Sequence, residues 1–348
     1  MYFLFSFSEQ SNNCNCLEEF PNELFYEIFG YLDSNDIYIG FNDLNQRFQN
    51  LVHICVFPLK INLSIISKSN FEKLNQQLLI PNRHQIQTLQ ISNPVFIDSI
   101  FSPPKIAAQF LQLETLVLND IKRAKFRFVL HHLASLKNLL SLTIISKESL
   151  GNIFKDVFSL PKLKYCKLSS SKPFINVDLF STTKFHRSSI EHLVIESVVK
   201  LYDLIRLSPY FPSLRTLSID CLTNYQTILP HLTNTRKFRR LKKVHFSQIL
   251  MTFDEFELIS RCLFNQIKSL SVSIIDMNED YLDAQRWEQL IASSMPNLHE
   301  LDLRYQSDAS INETYRDNFS SPFWIEHNWI FDYEISENSI CHATISTK

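Results

Sequence analysis

One six-residue pattern recurs nine times between residues 86 and 303: an aliphatic residue, two others, an aliphatic residue, one other, then an aliphatic or aromatic residue. It reads IQTLQI at 86, LETLVL at 113, LLSLTI at 139, LKYCKL at 163, IEHLVI at 190, LRTLSI at 214, LKKVHF at 241, IKSLSV at 267 and LHELDL at 298. Successive instances start 24 to 31 residues apart, a step that belongs to stacked supersecondary units. The last two anchors lie two residues apart, so they share one face of a strand while the residues between them point to the other.

Amphipathic helical stretches precede many of these strands. In TFDEFELISRCLF, 252–264, Thr252 and Glu255 have capping-box spacing, and Phe256, Ile259 and Leu263 share a face. AQRWEQLIASSM, 284–295, places Trp287, Leu290 and Ile291 likewise. Pro161, Pro212 and Pro296 each stand two residues before a strand anchor, where proline ends a helix and sets an extended approach. One strand plus one helix per unit predicts an α/β chain, a curved solenoid with parallel strands on its inner face. From about residue 57 to about 305 the pattern resembles the leucine-rich-repeat family, in a degenerate form. The asparagine that many such repeats carry three residues after the last strand leucine is replaced at all nine positions, from Pro94 to Gln306.

Composition narrows the chemistry. With 348 residues, 45% hydrophobic and 20% charged, the chain can bury a core. A formal net charge of −2 removes the cationic field that sequence-independent nucleic-acid binding relies on. Only three glycines are present, Gly30, Gly40 and Gly151, too few for a glycine-rich phosphate cradle, a dinucleotide fingerprint or a nucleophile elbow. The seven cysteines form no CxxC pair and no Cys/His quartet, and Cys14 and Cys16 read as two free thiols, so no metal or cofactor is expected and reduced cytoplasm or nucleus fits. The apolar runs fall short of the roughly 20 residues needed to span a bilayer. The opening MYFLFSF lacks a basic n-region and a cleavage site, and residues 1–16 are expected to fray.

The N-terminal part has a different pattern. In FPNELFYEIFGYL, 20–32, Leu24, Phe25, Ile28, Phe29 and Leu32 make one wide helical stripe, Pro21 suits the first turn and Glu23 complements the helix dipole. Asp33, Ser34 and Asp36 then cap a second helical stretch, broken or continuous, with Ile37, Phe41, Leu44, Phe48 and Leu51 on one face. A unit of about 40 residues buries too little of such surface by itself. The stretch 17–54 resembles the F-box, with Phe20, Pro21, Glu23, Leu24, Ile28, Leu32, Asp36, Ile37, Phe48 and Leu51 in the family's positions. Phe20 stands for the usual leucine and Phe48 for the usual tryptophan.

The resemblance implies a non-catalytic, substrate-recruiting subunit of a cullin-type ubiquitin ligase, whose F-box docks a Skp-type adaptor and whose repeats hold a client protein. Adaptor contacts are then expected from Phe20, Pro21, Glu23, Leu24, Phe25, Ile28, Leu32, Ile37 and Phe48. Alternation puts Tyr165, Lys167, His192, Glu196, Lys243, His245 and Arg304 outward as the larger client-facing groups among small polar neighbours. The expected organisation is 17–54 F-box, 55–310 repeats and 311–348 a cap and tail rich in aromatic residues. Two other readings are open. One is an interaction scaffold without a ubiquitin role, its first helices serving as an end cap. The other is a Cys or Ser hydrolase, for which His131-His132 has no H-E-x-x-H or H-x-E partner.

Overall fold

The computed structural model describes residues 17–54, 59–64, 66–101, 109–150, 153–171, 187–224, 238–275, 279–307, 317–335 and 341–347. Segment 1–16, with MYFLFSF and the Cys14/Cys16 pair, lies outside them.

The chain is mixed α/β. Ten strands lie side by side in chain order, each parallel to the next: β1 (Leu59–Asn62), β2 (Ile86–Ile91), β3 (Thr115–Asn119), β4 (Ser141–Ser146), β5 (Tyr165–Ser170), β6 (His192–Lys200), β7 (Thr216–Thr223), β8 (Lys243–Leu250), β9 (Ser269–Ile275) and β10 (Glu300–Ser307). β11 (Trp329–Ile335) and β12 (Cys341–Thr347) are antiparallel additions in the order β10-β12-β11, completing a 12-stranded open sheet with edges β1 and β11. The nine repeat segments are thus β2 to β10.

Register explains why the repeat holds. Leu89, Leu116, Leu142, Cys166, Leu193, Leu217, Val244, Leu270 and Leu301 stand opposite one another on consecutive strands. All nine are buried, so each unit's apolar face is covered by its neighbours'. Just before the strands a second ladder runs through the backbone. The carbonyls of Glu114, Leu140, Lys164, Glu191, Arg215, Lys242 and Lys268 each accept two successive N–H groups of the next unit. These bonds, 2.7–3.1 Å long, tie each rung to the next.

Helices on the other face supply the rest of the core. Phe253–Leu263 carries the expected capping box: Thr252 Oγ1 accepts from Glu255 N at 3.3 Å and Glu255 Oε2 from Thr252 N at 2.9 Å. Ala284–Ser294 buries Trp287, Leu290 and Ile291, and the Trp287 indole donates to Tyr281 O at 2.9 Å. Two of the turns without asparagine are held by serine: Ser146 Oγ donates to Ile121 O at 2.8 Å and Ser170 Oγ to Glu148 O at 3.0 Å. Among the described residues, no helix is long and apolar enough to cross a membrane.

The headpiece comprises α1 (Asn22–Gly30), α2 (Ser34–Phe41) and α3 (Gln46–Ile54). A turn at 42–44 breaks the second stretch, which carries Leu44 out of the expected stripe to 55% exposure. Phe25, Phe29, Phe41 and Phe48 form an aromatic centre, with Phe25 and Phe48 edge to face at 4.9 Å and Phe29 and Phe41 at 5.0 Å. Such pairs contribute about 0.5–1.5 kcal/mol beyond area burial. The headpiece also covers an edge of the sheet. Lys60 N donates to Ser34 Oγ, Asn35 donates to Asn62 O, Tyr38 donates to Gln77, and Lys73 pairs with Asp43 at 3.0 Å.

At the far end the aromatic tail adds to the sheet as well as covering it. Trp324, Trp329 and Phe331 are buried, Phe331 stacks on Phe319 at 5.0 Å, and β12 occupies the free edge of β10. Short-range patterning had not separated these two strands, or β1, from loop.

Candidate functional site

Two surfaces carry the residues singled out above. The first is on the headpiece. Arg47 of α3 reaches back to the start of α1 and the segment before it, donating to Phe20 O at 2.5 Å, to Asn22 Oδ1 at 2.7 and 3.0 Å, and to Glu18 O, while its guanidinium lies 5.7 Å from the Phe25 ring centre. One side chain thereby holds 18–22 against the helices. The adaptor-facing set splits in two as a result. Phe25, Ile37 and Phe48 turn inward at 0%, 7% and 0% exposure, so these three are core residues with no surface for a partner. The reason is the helical period: a stripe as wide as 24-25-28-29-32 cannot all face one way, and the aromatic half is drawn into the three-helix centre. Phe20, Ile28 and Leu32 remain exposed and Leu24 half-buried, with Leu17 and Tyr31 beside them. Pro21 and Glu23 are exposed at the start of α1. What remains is an apolar strip along one side of α1, held in shape by Arg47.

The second surface is the open face of the sheet. A shallow trough of about 710 Å³ crosses the carboxyl-terminal ends of β3 to β5 and the stretches 194–196, 218–220 and 245–247 of β6 to β8, bordered by Asn119, Ile145, Ser169, Glu196, Asp220 and His245. Its floor is small because serines recur at the outward positions. Among the client-facing candidates, Glu196 and His245 border the trough, and Lys167 joins it by an ion pair to Glu196 at 2.6 Å. Tyr165 and His192 are neighbours in register outside it. Lys243 and Arg304 are occupied by ion pairs, with Glu300 at 3.3 Å and Asp302 at 3.1 Å, so the seven do not form one cluster.

His245 sits in a polar chain. Its Nδ1 lies 3.0 Å from Ser271 Oγ and its Nε2 3.2 Å from Ser247 Oγ, and Ser271 donates to Asp302 at 3.0 Å. Nδ1 meets a second serine where a nucleophile's base would meet a carboxylate. On an exposed strand face this arrangement holds the imidazole between two serine hydroxyls. Of the His131-His132 pair, His132 is buried, with Nδ1 2.7 Å from Phe128 O, which identifies it as a helix-packing residue.

Apart from Lys243, the following charges were not among the client-facing candidates. Asp220 borders the trough and has no ion pair among the described residues. Strand alternation alone puts it outward. Glu191, at the foot of β6, is bonded to Lys164 at 2.6 Å and Arg215 at 3.0 Å. The hydrogen bond from Lys164 is the main reason its carboxyl lies below the usual glutamate range. The run RRLKK at 239–243 gathers four cations beside the first position of β8. Its signal is plain in the sequence once net charge is read locally as well as over the whole chain.

Comparison with the models of known protein families and with the curated proteins gives no match for this chain.

Proposed function

We propose that this chain is a substrate-recruiting subunit of a cullin-type ubiquitin ligase, an F-box headpiece on degenerate leucine-rich repeats that stack as a curved solenoid. In this reading Phe20, Leu24, Ile28 and Leu32 dock a Skp-type adaptor, and the trough holds the client. The supporting observation is the apolar strip on α1: Phe20, Ile28 and Leu32 stay 40%, 37% and 36% exposed although a well-packed aromatic centre lies directly beneath them. Burying three such side chains at a contact is worth about 1.5–3 kcal/mol each, gross. The strip and the polar face of the sheet are separate, so adaptor and client would occupy different surfaces of one chain.

A second reading has its own support. The contacts of α2 with β1 and with the segment around Gln77 make the headpiece an end cap of the sheet, as a scaffold without a ubiquitin role would require. A pull-down separates the two. Ile28→Asp with Leu32→Asp replaces exposed groups and should leave the far-ultraviolet circular dichroism unchanged. Adaptor and cullin retained by the native chain and lost by the double variant support ligase recruitment. A native chain that retains neither leaves the cap reading standing and refutes the first.

A further inference from the structure

We propose that the amino-terminal rim of the sheet over β7 to β9 docks an acidic segment of a protein partner. Six exposed cations gather there: Arg215, Arg239, Arg240, Lys242, Lys243 and Lys268. The backbone ladder puts three of them on consecutive rungs, since Lys242 N donates to Arg215 O at 2.8 Å and Lys268 N to Lys242 O at 2.7 Å. Neighbouring strands lie ~4.8 Å apart, so the strip is roughly 10 Å across. Glu191 pairs with Arg215 on one side and Glu300 with Lys243 on the other. Between them Arg239, Arg240, Lys242 and Lys268 have no ion pair among the described residues. In a chain of net charge −2 this is segregated charge, whose mutual repulsion an anionic partner would relieve.

The bounds of the strip favour carboxylates on a polypeptide over phosphates on a nucleic acid. A short extended segment places alternate side chains about 7 Å apart, so two carboxylates fit within two strand spacings. Arginine meets each of them in a fork. A longer phosphate chain would run onto Glu191 and Glu300, and the chain as a whole offers it no long-range attraction. The rim lies at and before the first residues of β7 to β9, while the trough begins two residues further along β7 and β8 at Ser218 and His245 and the headpiece sits at the β1 edge, so the proposal rests on these cations and not on the ligase reading.

The test uses the full chain and fluorescence anisotropy at low salt. The probes are a short labelled peptide of alternating glutamate and serine, its glutamine counterpart, and a single-stranded oligonucleotide of equal charge. The glutamate peptide is expected to bind and the glutamine peptide not to. Arg240→Glu and Lys242→Glu should each weaken binding ~10-fold, while Lys60→Glu on the distant β1 leaves it unchanged. Circular dichroism checks that each variant is folded, and the milder Arg240→Gln and Lys242→Gln stand in for any that is not. Absence of binding by the glutamate peptide, rim variants that bind it as the native chain does, or an oligonucleotide that binds more tightly than the peptide would overturn the proposal.

Discussion

The main-chain amide of Lys60 donates to Ser34 Oγ at 3.0 Å, which makes the headpiece part of the sheet's edge. β1 is a short edge strand, and an unpaired edge invites pairing with other chains. Here α2 blunts it with side-chain oxygens and amides.

Ser34→Ala should therefore cost about 1–2 kcal/mol, because it leaves a partly buried N–H without an acceptor. Chemical denaturation measures the loss. Hydrogen exchange should show the Lys60 amide, slow in the native chain, becoming faster in the variant.

Core and surface on the headpiece should separate cleanly. Phe48→Ala removes a ring with no exposure from the aromatic centre and should destabilise by ~3–5 kcal/mol. Ile28→Ala, on the exposed strip, should cost less than ~1 kcal/mol. Thermal melts of the two variants provide the comparison.

Cys166 occupies a leucine position in the inward ladder, fully buried, and burial pushes its thiol far up. It should resist alkylation in the native protein and react only on unfolding, which mass spectrometry of timed iodoacetamide reactions would show. Cys166→Ser, which places a hydroxyl in that ladder, should cost about 1–3 kcal/mol.

Two carboxylates should give opposite dependences on pH. Glu191 has its pKa lowered, chiefly by the hydrogen bond from Lys164. The folded state releases this proton more readily than the unfolded chain, so the stabilisation is present above the unfolded pKa of about 4.3 and is lost as pH falls through the folded one. Glu191→Gln should flatten that part of the stability curve. Asp203, buried at the start of the helix Leu201–Leu207, has its pKa raised by desolvation. Its folded form binds the proton more tightly, so stability declines as pH rises from the unfolded value of about 3.9 through the folded one. Asp203→Asn should be the more stable protein near pH 7, with the advantage fading below about pH 4. Urea titrations across that range would reveal both slopes.

Much of this molecule was written in short-range patterning. Anchors two residues apart placed β2 to β10 and their inward faces, because strand side chains alternate and each unit can bury its apolar side only against the next. The capping box before Phe253 and the helix after Asp283 were legible for a similar reason, since helix ends are set by a few adjacent residues. What tertiary structure alone decided lies where distant residues compete for one surface. Periodicity marked Phe25 and Ile28 as members of one stripe, but only packing against Phe41 and Phe48 buried the first and left the second outside. The tail's aromatic residues announced burial, yet β12 became a strand because β10 offered it a free edge. The basic rim arose likewise, since cations about 25 residues apart in sequence become neighbours only when the backbone ladder stacks their units.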